Sequence, residues 1–267
     1  MHLTYDILSP EKTQVSILAT QGEGESAFWL EPLYTFYPQL NRPLVESLRG
    51  EARAAYLREA VASLYAERRA EFPRRLAAWQ THWDAHEAEI TRALSDAFEE
   101  DLTDRWQHMR GLMSLNPISP RFLETASFEV FWLNSERGAL GLALHEIIHF
   151  LWFDAWQRRY HDAPAGYERP HLPWLPSEMV VEPIMSDPRL AALNPYYPRE
   201  EGGCVYPYFF DLRLEGENLM DTLHAQHRRL PLGQWMDEAR NLLERNREEL
   251  FRAVQAAEAR AMDKQEP

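Results

Sequence analysis

The amino-acid sequence predicts an α+β fold that is mostly helical and contains a small sheet. Apolar residues recur at helical spacing over long stretches, whereas short segments within residues 3–19 and 121–133 have the composition of strands. The chain has 267 residues, of which 45% are hydrophobic. That is enough to bury the core of one large domain or two small ones.

The N-terminal region is predicted to form a short strand pair followed by long helices. Residues 3–8 (LTYDIL) and 14–19 (QVSILA) alternate or cluster apolar residues, which favours two strands. Helical spacing begins at Pro43 and should be interrupted near Pro73, because proline lacks the N–H that a helix interior needs. A second helical stretch is expected over about residues 75–113.

The C-terminal region is predicted to combine a strand with a long apolar helix. We place the division between the two regions at residues 1–115 and 116–267, and the two parts could still pack as one unit. Residues 121–133 read as a strand, and Asn134 and Ser135 offer a cap for a helix over about 136–160. After a proline-rich loop at 161–176, helices are expected from Ser177, over about 214–229 and over about 233–262.

Composition excludes several classes of protein. A formal net charge of −14 without a basic stripe argues against nucleic-acid and anionic-membrane partners. Cys204 is the single cysteine, so a disulfide framework and a thiolate metal cluster are excluded. The N-terminus lacks a secretory pattern, and the most apolar run is too short and too polar to span a bilayer. A soluble, cytoplasmic protein is therefore expected.

The pentad HEIIH, at residues 145–149, is the strongest functional signal. His145 and His149 are four apart, so on a helix both imidazoles face the same side and can reach one metal ion. Glu146 projects beside such an ion, where it could deprotonate a water. Residues 138–153 carry no charge outside the pentad. Because a buried glutamate is costly unless it is paired or near a metal, we predict one Zn²⁺ here; the alternative is a hydrogen-bonded polar cluster.

A catalytic zinc ion usually has three protein ligands, and the pentad supplies two. The candidates for the third are Asp154, His161, His171, Glu178, Glu182 and Asp187. Glu178 and Glu182 are four apart among apolar residues, so one could bind zinc while the other hydrogen-bonds a ligating imidazole. Pro183 favours a kink or an end of the helix beside Glu182, so Glu178 ranks first.

The pentad on a long apolar helix, followed by a glutamate on a later helix, resembles the zincin metallopeptidases and specifically the gluzincin group. The resemblance covers about residues 121–190. It implies a zincin-like core in which a small sheet accompanies the active-site helix, with residues 1–115 as an additional N-terminal region. It also implies His145, His149 and Glu178 as zinc ligands and Glu146 as the general base.

The function that this resemblance implies is zinc-dependent hydrolysis of a peptide or protein substrate. Two alternatives remain: a zincin-fold regulatory or interaction protein that acts on a single partner or lacks turnover, and a helical binding protein with a structural pentad.

The metzincin continuation is absent, since Trp152 and Ala155 stand where its Gly and last His would be. Candidates to stabilise an oxyanion are Tyr206, Tyr208, His224 and His227. His82 and His86 share the four-residue spacing, but their charged helix favours a solvated face.

Overall fold

The computed structural model describes residues 1–21, 27–161, 167, 172–197 and 203–263, with side chains described for all of these except 27–29 and 257–263. The described chain is mostly helical with a small mixed sheet, which confirms the α+β prediction. Two compact units are present: a sheet unit of residues 2–85 and 106–143, and a helical unit of Met1 and residues 86–105 and 144–267. The predicted division after residue 115 stays a prediction.

The strands and the helices are numbered separately, each in chain order. The strands are β1 (Leu3–Ile7), β2 (Met109–Ser114), β3 (Arg121–Phe122), β4 (Ser127–Phe131), β5 (Arg213–Leu214) and β6 (Glu217–Asn218). The helices are α1 (Pro10–Thr20), α2 (Ala27–Phe36), α3 (Arg42–Ser47), α4 (Gly50–Arg68), α5 (Phe72–Phe98), α6 (Glu136–Tyr160), α7 (Trp174–Met179), α8 (Val181–Met185), α9 (Pro188–Ala191), α10 (Leu219–Arg229), α11 (Leu232–Arg245) and α12 (Arg247–Asp263). Short 3₁₀ helices lie at Leu123–Thr125 and Pro207–Asp211.

The sheet unit contains a four-stranded sheet in the order β1-β2-β4-β3. β1 and β4 both pair with β2 in parallel, and β3 pairs with β4 in antiparallel orientation. β1 therefore finds its partner in β2, with Leu3 opposite Met109. The predicted pairing of residues 3–8 with 14–19 is wrong.

Residues 14–19 are helical because local signals favour a helix there. The Ser9 hydroxyl accepts a hydrogen bond from the backbone N–H of Lys12, and Pro10 occupies the first helical turn. Thr13 and Ile17, four residues apart, form the buried face of α1. The apolar cluster that favoured a strand is one side of this helix.

The predicted helix over 75–113 is correct only as far as Phe98. Residue 99 has φ of 53°, in the left-handed region, and ends α5. Residues 109–114 instead form β2, in which buried Met109 and Gly111 alternate with exposed Arg110. Near Pro73 the predicted interruption is present: α4 ends at Arg68, and α5 starts at Phe72.

The strand predicted over residues 121–133 is divided into two. A short 3₁₀ turn separates β3 from β4, and Ala126 within this connection has φ of 46°. Every residue of β4 is buried. The cap predicted before α6 is present, since the Ser135 hydroxyl accepts a hydrogen bond from Gly138 N–H at 3.1 Å. The predicted bounds of this helix, 136–160, are confirmed.

Gly111 allows the first strand to pack closely on the sheet. A Cβ atom at this position would lie 2.6 Å from the ring of Tyr5. The ring of Tyr5 is buried, and its hydroxyl donates a hydrogen bond to the carbonyl of Ala139 at 3.2 Å. A side chain at position 111 would displace this ring, so the close approach requires glycine.

Glu129, in β4, is a buried carboxyl group within the sheet unit. Its side chain is 1% exposed. The hydroxyls of Ser114 and Ser16 hydrogen-bond to it, but burial dominates and raises its pKa to about 7. Its Oε2 atom has no hydrogen-bond partner among the described residues. Near neutral pH this carboxyl group is therefore close to half protonated.

We expect Glu129 to make the stability of the protein fall as pH rises. Its pKa is about 7 in the folded chain against an ordinary value of 4.5, so the folded state binds the proton more tightly. The stability it contributes is complete below about pH 4.5 and is lost as pH rises through 7. Between pH 5 and 8, the free energy of unfolding in urea should fall about 2–3 kcal/mol further in the wild type than in Glu129→Gln. Parallel pH profiles for the two proteins would contradict this assignment.

In the helical unit, α6 presents apolar residues on several sides. Leu144, Ile147, Ile148 and Trp152 are all fully buried, and the Trp152 ring lies 5.5 Å from that of Trp235 on α11. None of the helices in the described ranges is both long enough and apolar enough to cross a membrane.

The helices after residue 172 differ in their bounds from the prediction. The helix expected from Ser177 begins at Trp174 and is divided at Val180 into α7 and α8. Pro183 accounts for the division, because it has no N–H to donate to the carbonyl of Met179, four residues earlier. A β5–β6 hairpin occupies the start of the helix predicted at 214–229, and α11 and α12 meet at Asn246 within the range predicted as one helix.

Candidate metal centre

His145 and His149 lie one turn apart on α6 and bring their imidazoles together. Their Nε2 atoms are 2.9 Å apart. The side chain of His149 is fully buried, whereas that of His145 is 21% exposed. The four-residue spacing therefore places two nitrogen donors side by side, as predicted from the helical repeat.

Glu178, on α7, supplies a carboxylate to the same point. One oxygen lies 3.5 Å from Nε2 of His149, and the other lies 3.7 Å from Nε2 of His145. The Glu178 side chain is 7% exposed. Among the residues that the structure describes, His145, His149 and Glu178 thus form a group whose ligand atoms lie within 4.8 Å of one another and could hold a metal ion.

The donor group is small enough to surround one ion, because one ligand atom from each of its three residues lies within 4.8 Å of the others. Zinc bonds of about 2.0–2.1 Å at tetrahedral angles place neighbouring ligand atoms about 3.3–3.4 Å apart. The two histidine nitrogens are closer than that, at 2.9 Å, and the contacts of Glu178 at 3.5 and 3.7 Å are made by its two different oxygens. Two imidazoles and one carboxylate are also a common donor set for catalytic zinc. The residues therefore fit a single ion with one position left for water or substrate.

A backbone carbonyl orients the first histidine. The Nδ1 atom of His145 lies 2.9 Å from the carbonyl oxygen of Cys204, and this oxygen can only accept a hydrogen bond. Nδ1 of His145 therefore carries the proton, which leaves the lone pair of Nε2 facing the other donors. This is how proteins fix the ring of a metal-binding histidine. Sequence reasoning missed the partner, because a carbonyl is common to every residue.

Glu146 lies next to His145 on α6 and is 5% exposed. One residue along a helix turns the side chain by about 100°. Glu146 therefore does not share the face of His145 and His149, and it does not belong to the His–His–Glu group. Its role as general base stays a prediction.

The other candidates for the third ligand have different positions. Asp154 pairs with Arg105 and Arg158, at 3.2 and 3.0 Å. Asp187 accepts a hydrogen bond from the N–H of Arg189 at the start of α9. His161 is exposed just beyond the far end of α6. His171 lies outside the described residues.

Glu182, the second carboxylate on this stretch, contacts a histidine outside the group. It is 3% exposed, and one of its oxygens lies 2.5 Å from Nε2 of His224 on α10. The sequence suggests that the second glutamate could hydrogen-bond a ligating imidazole. The imidazole that Glu182 contacts is that of His224, which is not one of the proposed ligands. Val180, between α7 and α8, keeps helical angles, so Glu182 follows Glu178 by about one turn.

The remaining candidates for oxyanion stabilisation fall into two environments. Tyr206 and Tyr208 are half-buried and their rings stack at 5.5 Å. The His227 ring packs at 4.5 Å on Trp235, and burial lowers its pKa to about 4. His227 is therefore neutral at pH 7. His82 and His86, the competing histidine pair, are half-buried on α5.

Comparison of the chain with protein families, with curated proteins and with solved structures finds no match. The geometry of this centre is therefore the main indication of what the protein does.

Proposed function

We propose that the protein is a zinc-dependent metallopeptidase with a zincin-like core of the gluzincin type. The observation that supports this most strongly is the convergence of His145, His149 and Glu178, with a buried Glu146 directly after the first histidine. The proposed substrate is a peptide or protein. The proposed metal is a single Zn²⁺ ion held by those three residues.

The donor residues of this centre favour Lewis-acid chemistry. Two neutral imidazoles and one carboxylate carry a single negative charge, which leaves part of the charge of a divalent ion uncompensated. When bound, zinc would polarise the peptide carbonyl and lower the pKa of a water molecule to about 7. The hydrogen bond from His145 to the Cys204 carbonyl holds one donor in place for this purpose.

The proposed role of Glu146 is to move a proton. Its carboxylate would take a proton from the attacking water and return it to the nitrogen of the departing amine. Among the four candidates for oxyanion stabilisation we favour His224. Its ring contacts the buried carboxylate of Glu182, and Glu182 follows Glu178 by about one helical turn.

Removal of the metal should abolish hydrolysis. We expect the purified protein to contain about one zinc ion per chain, since the structure offers one such donor group in its described part. Dialysis against a chelator should stop cleavage of a mixed peptide library, and stoichiometric zinc should restore it. Metal content by mass spectrometry and cleavage by liquid chromatography check both expectations.

Two other outcomes would change the proposal. A folded protein that binds no zinc would exclude both the peptidase and a zincin-fold regulatory protein. Stoichiometric zinc without cleavage of any library peptide would instead favour the regulatory or interaction protein that acts on one partner.

A further inference from the structure

Arg53 is a buried cation within the sheet unit. It lies on α4 in the buried stripe that also contains Leu57, Val61 and Leu64, and it is 8% exposed. Its Nε atom has no hydrogen-bond partner, and no carboxylate among the described residues forms an ion pair with it. A buried charge is costly unless it is paired, so a guanidinium at this core position requires a counter-ion.

The hydroxyl of Tyr34, on α2, is a second buried polar group beside Arg53. Tyr34 is 9% exposed, and its hydroxyl has no hydrogen-bond partner in the described part of the chain. Burial raises the pKa of this hydroxyl, and Arg53 is the charged group that lowers that pKa most, so the guanidinium lies near it. An arginine N–H and a tyrosine hydroxyl can both donate to one acceptor. Two buried donors therefore lie together, and neither has an acceptor.

The carboxylates that the structure places around Tyr34 already pair with Arg42. Glu46 also acts on the Tyr34 hydroxyl, but its carboxylate accepts a hydrogen bond from Arg42 at 2.7 Å. Arg42 pairs with Glu31 as well, and its guanidinium lies 5.5 Å from the centroid of the Tyr34 ring. Arg42 and its two carboxylates together carry one negative charge. A singly charged ligand on Arg53 is therefore tolerated better here than a doubly charged one.

Arg75 shows how another arginine of this unit is stabilised without an acceptor. Its Nε atom also has no hydrogen-bond partner among the described residues, but its guanidinium lies 5.1 Å from the centroid of the Trp132 ring. Arg75 is also only half-buried. A cation–π contact and access to water both lower the cost of burying the charge. Arg53 has neither advantage within the described chain, so it is the arginine that most requires an anion.

We propose that Arg53 and Tyr34 bind a small, singly charged anion, either a halide or the carboxylate group of a small molecule. The Nε–H of Arg53 and the hydroxyl of Tyr34 would both donate hydrogen bonds to it. The anion would supply the counter-charge that the buried guanidinium lacks, and so would stabilise the folded chain. This site lies within the sheet unit and does not depend on the proposed peptidase function.

Thermal unfolding of the full-length protein tests the site. At constant ionic strength, bromide, acetate or sulfate replaces the bulky anion methanesulfonate. Bromide or acetate should raise the unfolding midpoint in a saturable way, by roughly 5–10 °C at about 100 times its Kd. Arg53→Met fills the core position with an apolar chain, so it should lack this rise and unfold no earlier than the wild type in methanesulfonate alone. The comparison of the two proteins removes effects of these anions on bulk solvent or at a metal ion.

Three further variants define the donors. Tyr34→Phe removes only the hydroxyl and should weaken anion binding roughly 10- to 100-fold. Arg53→Lys keeps the charge and should retain part of the rise, because the ammonium lacks the planar donor arrangement of the guanidinium. Arg58→Met is the control, since Arg58 lies on the same helix, is partly exposed and pairs with Glu51; it should respond as the wild type does. Circular dichroism shows whether each variant is folded.

A crystal structure with the anion that raises the midpoint completes the test. We expect bromide, seen by anomalous scattering, or acetate, seen in electron density, in contact with both Arg53 and Tyr34. A rise with only one of the two anions would support the site and identify its ligand as a halide or a carboxylate.

Four results would overturn the proposal. A midpoint that rises equally in the wild type and in Arg53→Met would show that the anions act elsewhere. A water molecule in place of the anion in the crystal would make Arg53 and Tyr34 a hydrated polar pair. A rise specific to sulfate would exclude a singly charged ligand, and an unchanged affinity in Tyr34→Phe would exclude the two-donor site.

Discussion

Replacement of Glu146 with glutamine should leave about one zinc ion bound per chain and lower kcat for peptide hydrolysis by about 10²- to 10⁴-fold. The amide has nearly the same shape as the carboxylate, and Glu146 is outside the His–His–Glu group, so metal affinity should persist. What is lost is the ability to take a proton from water. Peptide affinity should stay close to that of the wild type, because glutamine keeps the size and shape of the glutamate side chain.

Glu136→Gln is the matched control for this experiment. Glu136 is the exposed first residue of the same helix, so the substitution changes charge equally without touching the centre. Its kcat and zinc content should equal those of the wild type. If Glu146→Gln hydrolyses peptides at the wild-type rate, Glu146 is not the base; if it loses zinc, the residue supports the metal rather than the proton transfer.

Replacement of Glu178 with alanine should weaken zinc binding by at least about 100-fold. Removal of a group that merely supports a ligand typically costs 10- to 100-fold in metal affinity, so removal of a ligand should cost more. The Glu178 oxygens lie 3.5 and 3.7 Å from the two imidazole nitrogens, and the substitution removes both oxygens. Competition with a chromogenic chelator measures the affinity.

Glu182→Ala is the control, because it removes the same atoms from a side chain of similar burial about one helical turn away. Glu182 contacts His224, so we expect its zinc affinity to stay within about tenfold of the wild type. Thermal unfolding of the metal-free proteins shows whether both variants keep the fold. Stoichiometric tight zinc in Glu178→Ala, with loss in Glu182→Ala, would exchange the roles of the two glutamates.

The parts of the fold that were predictable depend on contacts close along the chain. The sequence predicts α6 with its observed bounds, because its cap at Ser135 and its apolar run are local signals. The same reasoning failed at residues 14–19 and 99–113, where an apolar cluster or a coincidence of spacing fits both helix and strand. The partner strand of β1 could not be predicted, since Leu3 pairs with Met109 and no local pattern links these two residues.

In the candidate site, too, local sequence spacing predicts some contacts and not others. His145 and His149 could be paired from spacing alone, and Glu178 could be ranked above Glu182 from the position of Pro183. The hydrogen bond between His145 and the Cys204 carbonyl spans 59 residues and involves no distinctive side chain. The contact between Tyr206 and Trp174 likewise depends on how α7 meets a later segment, so the sequence predicts for Tyr206 only the role of an individual hydroxyl donor.

The pairing of β1 with β2 also determines when the sheet can form. Leu3 and Met109 are neighbours in space but more than a hundred residues apart in sequence, so a ribosome must complete β2 before β1 has a partner. Helices α1 to α5 are synthesised in the interval and can form from local contacts first. Until then, the first strand of the nascent chain keeps an apolar face and an open edge, which is the state in which a chain is most prone to aggregate.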